Sequence, residues 1–198
     1  TLTNNAGVTG LVVKSDASGT GSLIHSTAGV DATVERYIAG ADWANIADGW
    51  HFLSSPVAAQ SISPNFVTDP ANKYDFYAWY EPSNLWVNFK NTSSPPTWET
   101  ANTISNGQSS PSTNNFLIGK GYLAAYDDES TKTFSGQLNT EAVPISLTTS
   151  SSTGNYGWHL LGNPYASAIN WDASTPWSLS NIGGVAKIWN ESGTGYVD

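Results

Sequence analysis

Apolar positions in this chain come in short runs with period two, separated by glycine-rich or polar turns. Residues 10–14 (Gly-Leu-Val-Val-Lys), 22–25 (Ser-Leu-Ile-His) and 32–38 (Ala-Thr-Val-Glu-Arg-Tyr-Ile) read as strands, with a turn over 16–21. A buried strand is predicted over 50–53, leaving at Pro56, and a hairpin follows with arms at 74–80 and 85–89. Its turn, Glu81-Pro82-Ser83-Asn84, carries proline at a favoured position. A Ser/Thr/Asn/Pro-rich loop spans 91–115. Beyond it lie an apolar stretch 116–126, a turn at 127–131, a return strand 132–138 and a further strand 142–148. The polar segment 149–155 then acts as a linker.

The pattern repeats. Residues 49–58 (Gly-Trp-His-Phe-Leu-Ser-Ser-Pro-Val-Ala) align with 157–166 (Gly-Trp-His-Leu-Leu-Gly-Asn-Pro-Tyr-Ala) at an offset of 108. Residues 78–88 align with 188–198 at an offset of 110, pairing Trp79 with Trp189 and Trp86 with Tyr196. Order and spacing are kept, so the expectation is an all-β, antiparallel, jelly-roll-like β-sandwich with two pseudo-repeats. Residues 1–40 supply N-terminal strands, either the edge of the sandwich or the end of a β-solenoid. Residues 41–148 form the first unit and 149–198 a second, truncated at Asp198, the whole reading as a piece of a longer protein.

Composition narrows the function classes. Seven basic against sixteen acidic residues leave a net charge of −9, which opposes long-range attraction to nucleic acid or anionic lipid. No apolar run approaches the roughly 20 residues of a membrane-spanning helix, so neither nucleic-acid binding nor membrane insertion is expected. Cysteine is absent, and with it any disulfide framework.

Candidate chemistry is sparse. Of the three histidines, His51 and His159 occupy equivalent repeat positions, which suits a scaffold better than a catalytic centre. Nucleophile-elbow, metalloprotease and phosphate-loop patterns are missing. Gly119 and Gly121 flank Lys120 and suggest a bulge or a close backbone approach. A glycosidase needs two carboxylates across a sugar bond, but many of the sixteen acids fall in turns, where they hydrogen-bond backbone. The run Asp127, Asp128, Glu129 offers hard oxygen ligands for a structural calcium ion bracing a loop. No other cofactor is expected.

Aromatic residues carry the sharper expectation. Sugars stack their C–H faces on Trp and Tyr rings, and their hydroxyls suit Asn, Gln and carboxylate partners. Trp50 with Trp158, and Trp79 with Trp189, recur in both copies and read as packing. Trp43, Trp98, Trp171 and Trp177 have no aligned counterpart and lie in polar or proline-marked stretches. Trp98, in the longest loop, is the first choice for ligand contact. Trp86, which the repeat replaces by tyrosine, and Tyr80 and Tyr126 beside the turns complete the set.

Residues 36–38 (Arg-Tyr-Ile), 49–56, 119–122 (Gly-Lys-Gly-Tyr), 161–165 (Leu-Gly-Asn-Pro-Tyr) and 169–171 (Ile-Asn-Trp) give the chain a further character. It resembles β-rich regions of large secreted proteins of Bacteroidetes-type bacteria, which often carry a C-terminal sorting domain for type IX secretion. The resemblance covers nearly the whole chain and implies an architectural context without catalytic residues. The sorting domain itself is not in this sequence. The resulting expectation is a non-catalytic, secreted or cell-surface module that binds glycan or polysaccharide and sits beside other domains of a parent protein. A structural spacer or adhesin segment without glycan binding is the alternative, and a glycoside hydrolase or polysaccharide lyase fragment a third reading.

Overall fold

The computed structural model describes residues 1–41, 49–68, 73–103, 114–154, 156–171, 177–183, 186–190 and 195–197. Two compact units are present, Thr1–Ser167 and Ala168–Asp198. The described chain is nearly all strand and loop, an all-β fold.

Within the first unit, β1 (Val12–Val13), β2 (Ser15–Asp16), β3 (Gly19–Thr20) and β4 (Asp31–Ile38) come first. After them follow β5 (His51–Leu53), β6 (Tyr74–Tyr80), β7 (Leu85–Asn88), a single helical turn α1 (Trp98–Ala101), β8 (Tyr122–Tyr126) and β9 (Ser130–Gln137). One sheet has the order β1-β4-β9 and another β5-β8-β6-β7, while β2 and β3 form a small hairpin. β4 is paired antiparallel to β9 along all eight residues, from Asp31↔Gln137 to Ile38↔Ser130. On its other side β4 pairs in parallel with β1, so the N-terminal segment joins residues 130–137 in one mixed sheet.

The expected hairpin at 81–84 forms: β6 and β7 pair from Tyr77↔Asn88 to Tyr80↔Leu85, and Asn84 takes the left-handed conformation that closes the turn. The stretch 116–138 behaves differently from its reading as strand, turn and return strand. β8 pairs with β5 and β6, while β9 pairs with β4, so the turn at 127–129 carries the chain from one sheet to the other. Both strands have an apolar face, and each turns it into the same core from its own sheet. Residues 142–148 form no strand, and 22–25 form none either.

That core is aromatic. Phe134 of β9 packs 4.6 Å from Phe66, which lies 4.7 Å from Phe116, and Phe116 reaches Phe76 of β6 at 5.8 Å and Tyr122 of β8 at 5.0 Å. Edge-on ring pairs of this kind add about 0.5–1.5 kcal/mol each beyond their area burial. The Tyr122 hydroxyl is not wasted: it donates to Asn102 Oδ1 at 2.7 Å and accepts from the Leu117 amide.

The second unit contains β10 (Ile188–Asn190) and β11 (Gly195–Val197), paired with Trp189 opposite Tyr196. The same aligned positions, Trp79 and Trp86, are opposite each other in the β6–β7 hairpin.

Candidate aromatic face and adjoining clefts

Alternation along β5, β6, β7 and β8 sends Leu53, Phe76, Ala78, Val87, Tyr122 and Ala124 into the core. The residues between them, Phe52, Tyr77, Trp79 and Trp86, must then line the opposite face. Trp79 and Trp86 are direct cross-strand partners, their rings 5.2 Å apart at 68°. Trp50 packs on Tyr77 at 5.9 Å. Trp86 is 37% exposed and Phe52 45%, so the face presents ring surface to solvent. Polar groups border it: Asn88 Nδ2 donates to Asp75 Oδ1 at 2.8 Å, and Lys90 pairs with the same carboxylate at 3.0 Å.

The expected site residues fare unequally. Trp98, the first choice, is only 4% exposed and lies in the core, where α1 packs it 5.0 Å from Phe89 and 5.9 Å from Phe76. Thr97 caps that turn by accepting from the Thr100 amide, and the cap aims the indole inward. Tyr126 is also core: its hydroxyl donates to the Phe66 carbonyl at 2.8 Å, and its ring carries the Lys132 ammonium at 4.0 Å. Neither can stack on a sugar. Tyr80 is partly buried on the rim of the larger cleft, and Trp86 is on the aromatic face. In the second unit Trp171 and Trp177 form a ring pair at 4.6 Å, with Trp177 Nε1 donating to the Asn170 carbonyl. Trp43 lies outside the described residues. Trp50 and Trp79, read as packing from the repeat, stand half-buried on the aromatic face.

The acidic run does not converge. Asp127 forms an ion pair with Lys73, Glu129 accepts from the Tyr37 hydroxyl at 2.6 Å, and no metal-holding group of three His, Cys, Asp or Glu side chains exists among the described residues. The turn between β8 and β9 thus sends Asp127 and Glu129 to different partners.

Two clefts adjoin the sheet. The larger, about 550 Å³, is lined by Trp79, Tyr80, Glu81, Lys120 and His159 among others. Glu81, 3% exposed, accepts from the Ser150 amide at 2.8 Å, the Ser150 hydroxyl at 2.6 Å and the Gly157 amide at 2.8 Å. Burial pushes this carboxyl up, but those three donors and nearby His159 outweigh it and hold the group below the usual carboxylate value. Lys120 donates to the carbonyls of Ala101 at 2.9 Å and Thr103 at 3.0 Å, and burial pulls it down to about 8. Both charges therefore tie loops together, and Glu81 is the single carboxylate among the described residues lining this cleft.

The approach of residues 157–162 to the sheet explains the glycines flanking Lys120. Gly121 N donates to the Leu160 carbonyl at 2.9 Å and Gly162 N to the Gly119 carbonyl at 3.0 Å. A Cβ on Gly121 would meet Leu160 Cγ at 2.6 Å, so only glycine admits this contact.

The smaller cleft, about 280 Å³, is lined by Arg36, Phe52, Ser54, Asn163 and Tyr165 with neighbouring backbone. Sequence reasoning missed Phe52, Tyr77 and Arg36. The period-two pattern 50/52 and 75/77/79 was the available signal for the first two, whereas no local pattern marks Arg36.

No family model, curated protein or solved structure matches this chain. No described helix is long and apolar enough to cross a membrane.

Proposed function

We propose that the chain is a non-catalytic extracellular module that binds carbohydrate on the outer face of the β5-β8-β6-β7 sheet. The observation that carries the proposal is the ring pair of half-buried Trp79 and exposed Trp86 beside Trp50 and Tyr77, bordered by Asp75, Asn88 and Lys90. Rings on a rigid sheet suit sugar C–H faces, and the polar border suits their hydroxyls. In this reading the two sheets sharing one core are a small β-sandwich. The matching registers of the β6–β7 and β10–β11 hairpins reflect a pseudo-repeat. The resemblance to β-rich regions of large secreted Bacteroidetes-type proteins supports the extracellular or cell-surface setting and neighbouring domains in a parent protein.

Retention on a panel of insoluble polysaccharides and a glycan array tests the proposal, comparing wild type with Trp86→Ala. A stacking ring lost from the face weakens retention by roughly 10-fold with the fold intact. Absence of retention on every glycan removes the binding claim.

One observation favours a second reading, a structural spacer or adhesin segment without glycan binding. The Trp79 indole already donates to the Trp158 carbonyl at 2.8 Å, so this face also holds the 157–162 segment in place. Under that reading Trp86→Ala lowers stability and changes no retention.

A further inference from the structure

Two cations face the interior of the β1-β4-β9 sheet with no carboxylate partner among the described residues. On β4 the residues Ala32, Val34 and Ile38 are buried, and Arg36 shares their face by alternation; on β9, Lys132 shares the face of buried Phe134. Arg36 and Lys132 are direct cross-strand partners. Like charges opposite one another destabilise a ladder, and burying them costs more. Ion pairs among the described residues go to Lys14, Lys73 and Lys90, none to Arg36 or Lys132. Glu35 points to the opposite face, where it meets Lys14 at 3.0 Å, and Glu129 is held by Tyr37.

The guanidinium makes one described hydrogen bond, Nη1 to the Glu35 carbonyl at 2.7 Å, out of the five N–H donors an arginine carries. Ser130, one step along the same face from Lys132 and opposite Ile38, has a buried hydroxyl with no partner. Lys132 rests on the Tyr126 ring instead of on an anion. With no carboxylate beside it among the described residues, the Arg36 fork leaves room for an anion from outside.

Arg36 reaches that outside through the smaller cleft. Phe52, exposed at the sheet edge, lines the same cleft and offers a ring for a sugar face. Ser54 donates to the Asn163 carbonyl at 2.7 Å and Tyr165 to the Glu141 carbonyl at 3.0 Å, so each hydroxyl keeps lone pairs to accept from sugar hydroxyls.

We propose that Arg36 receives the carboxylate of an acidic sugar unit stacked on Phe52. The proposal deepens the carbohydrate reading and rests on it. The planar guanidinium fork matches a carboxylate better than it matches a single hydroxyl. A sulfate ester shares the oxyanion chemistry, and the experiment separates the two. Because the whole chain carries −9, attraction of an anion is confined to this cleft.

Calorimetric titration of the full chain with trigalacturonic acid, its methyl ester and a sulfated galactose oligosaccharide tests the idea. Wild type is expected to bind the acid at least ~10-fold tighter than the ester, with Arg36→Gln erasing the difference. Equal binding of acid and ester by wild type overturns the proposal, and this comparison needs no variant to fold. Retention of the acid preference by folded Arg36→Gln also overturns it. An Arg36-dependent preference for the sulfated sugar over the acid overturns the carboxylate assignment. Neutral-glycan retention that depends on Trp86 but shows no acid preference sinks the Arg36 site alone, whereas loss of every sugar interaction sinks the carbohydrate reading with it.

Discussion

Trp98→Ala separates a core tryptophan from a surface one in a single measurement. The indole is 4% exposed and packs against Phe76, Phe89 and Tyr122 with ring centroids 5.0–6.2 Å away. Burial of about 200 Å² of side chain at about 25 cal/mol per Å² is worth roughly 5 kcal/mol, an upper figure because the unfolded chain already buries part of that area. Aromatic-to-alanine changes in cores cost about 3–5 kcal/mol once the cavity is included. For a chain of this size each kcal/mol moves Tm by roughly 2–4 °C, so a drop of about 6–20 °C follows. Trp86→Ala loses one ring pair and partial burial, about 1 kcal/mol, and a few degrees at most. Urea and thermal unfolding of both variants give the comparison, with glycan retention measured on whatever remains folded. Trp98→Ala costing under ~1 kcal/mol while abolishing retention would refute the core assignment and restore the loop tryptophan as a binding residue.

Three further outcomes test the supports of the face. Glu81→Gln removes the charge that gathers the Ser150 and Gly157 donors and costs about 2 kcal/mol at neutral pH by urea unfolding. Because the folded Glu81 titrates below its unfolded value of 4.5, its contribution is full above that pH and fades as pH falls through the folded value, and the variant lacks this acid sensitivity. Lys120 is pulled from 10.5 to about 8 on folding, so the unfolded chain holds more protons across that window and stability rises from pH 8 toward 10 by roughly 2 kcal/mol. Above pH 10 the trend reverses, since burial raises Tyr122 and Tyr126 and the unfolded tyrosines ionise first; Lys120→Met removes the rise but not the fall. Gly162→Ala drives a methyl into Ser54 and to 2.8 Å from the Lys120 carbonyl, costing about 1–3 kcal/mol in thermal unfolding.

Local patterning was enough for those features whose cause is local. Period-two runs determine β4, β5, β6 and β7, and Glu81-Pro82-Ser83-Asn84 determines their hairpin, because alternation and turn chemistry act over a few residues. The glycines around Lys120 announce a close backbone approach for the same reason, although only the structure supplies residues 160–162 as the approaching segment. Which sheet a strand joins is a different matter. β8 and β9 follow one another with a turn between and read as a hairpin, yet they bury their faces from opposite sides of one core. Whether a tryptophan in a polar loop turns inward depends on the cavity that Phe76, Phe89 and Tyr122 leave for it, and residues 76, 89 and 122 meet only in three dimensions. Sequence alone thus determined an all-β chain rich in aromatic rings. Tertiary structure decided which rings are core, which form a face, and that the single arginine stands opposite a lysine with no carboxylate partner among the described residues, because burial and charge pairing are properties of distant residues brought together.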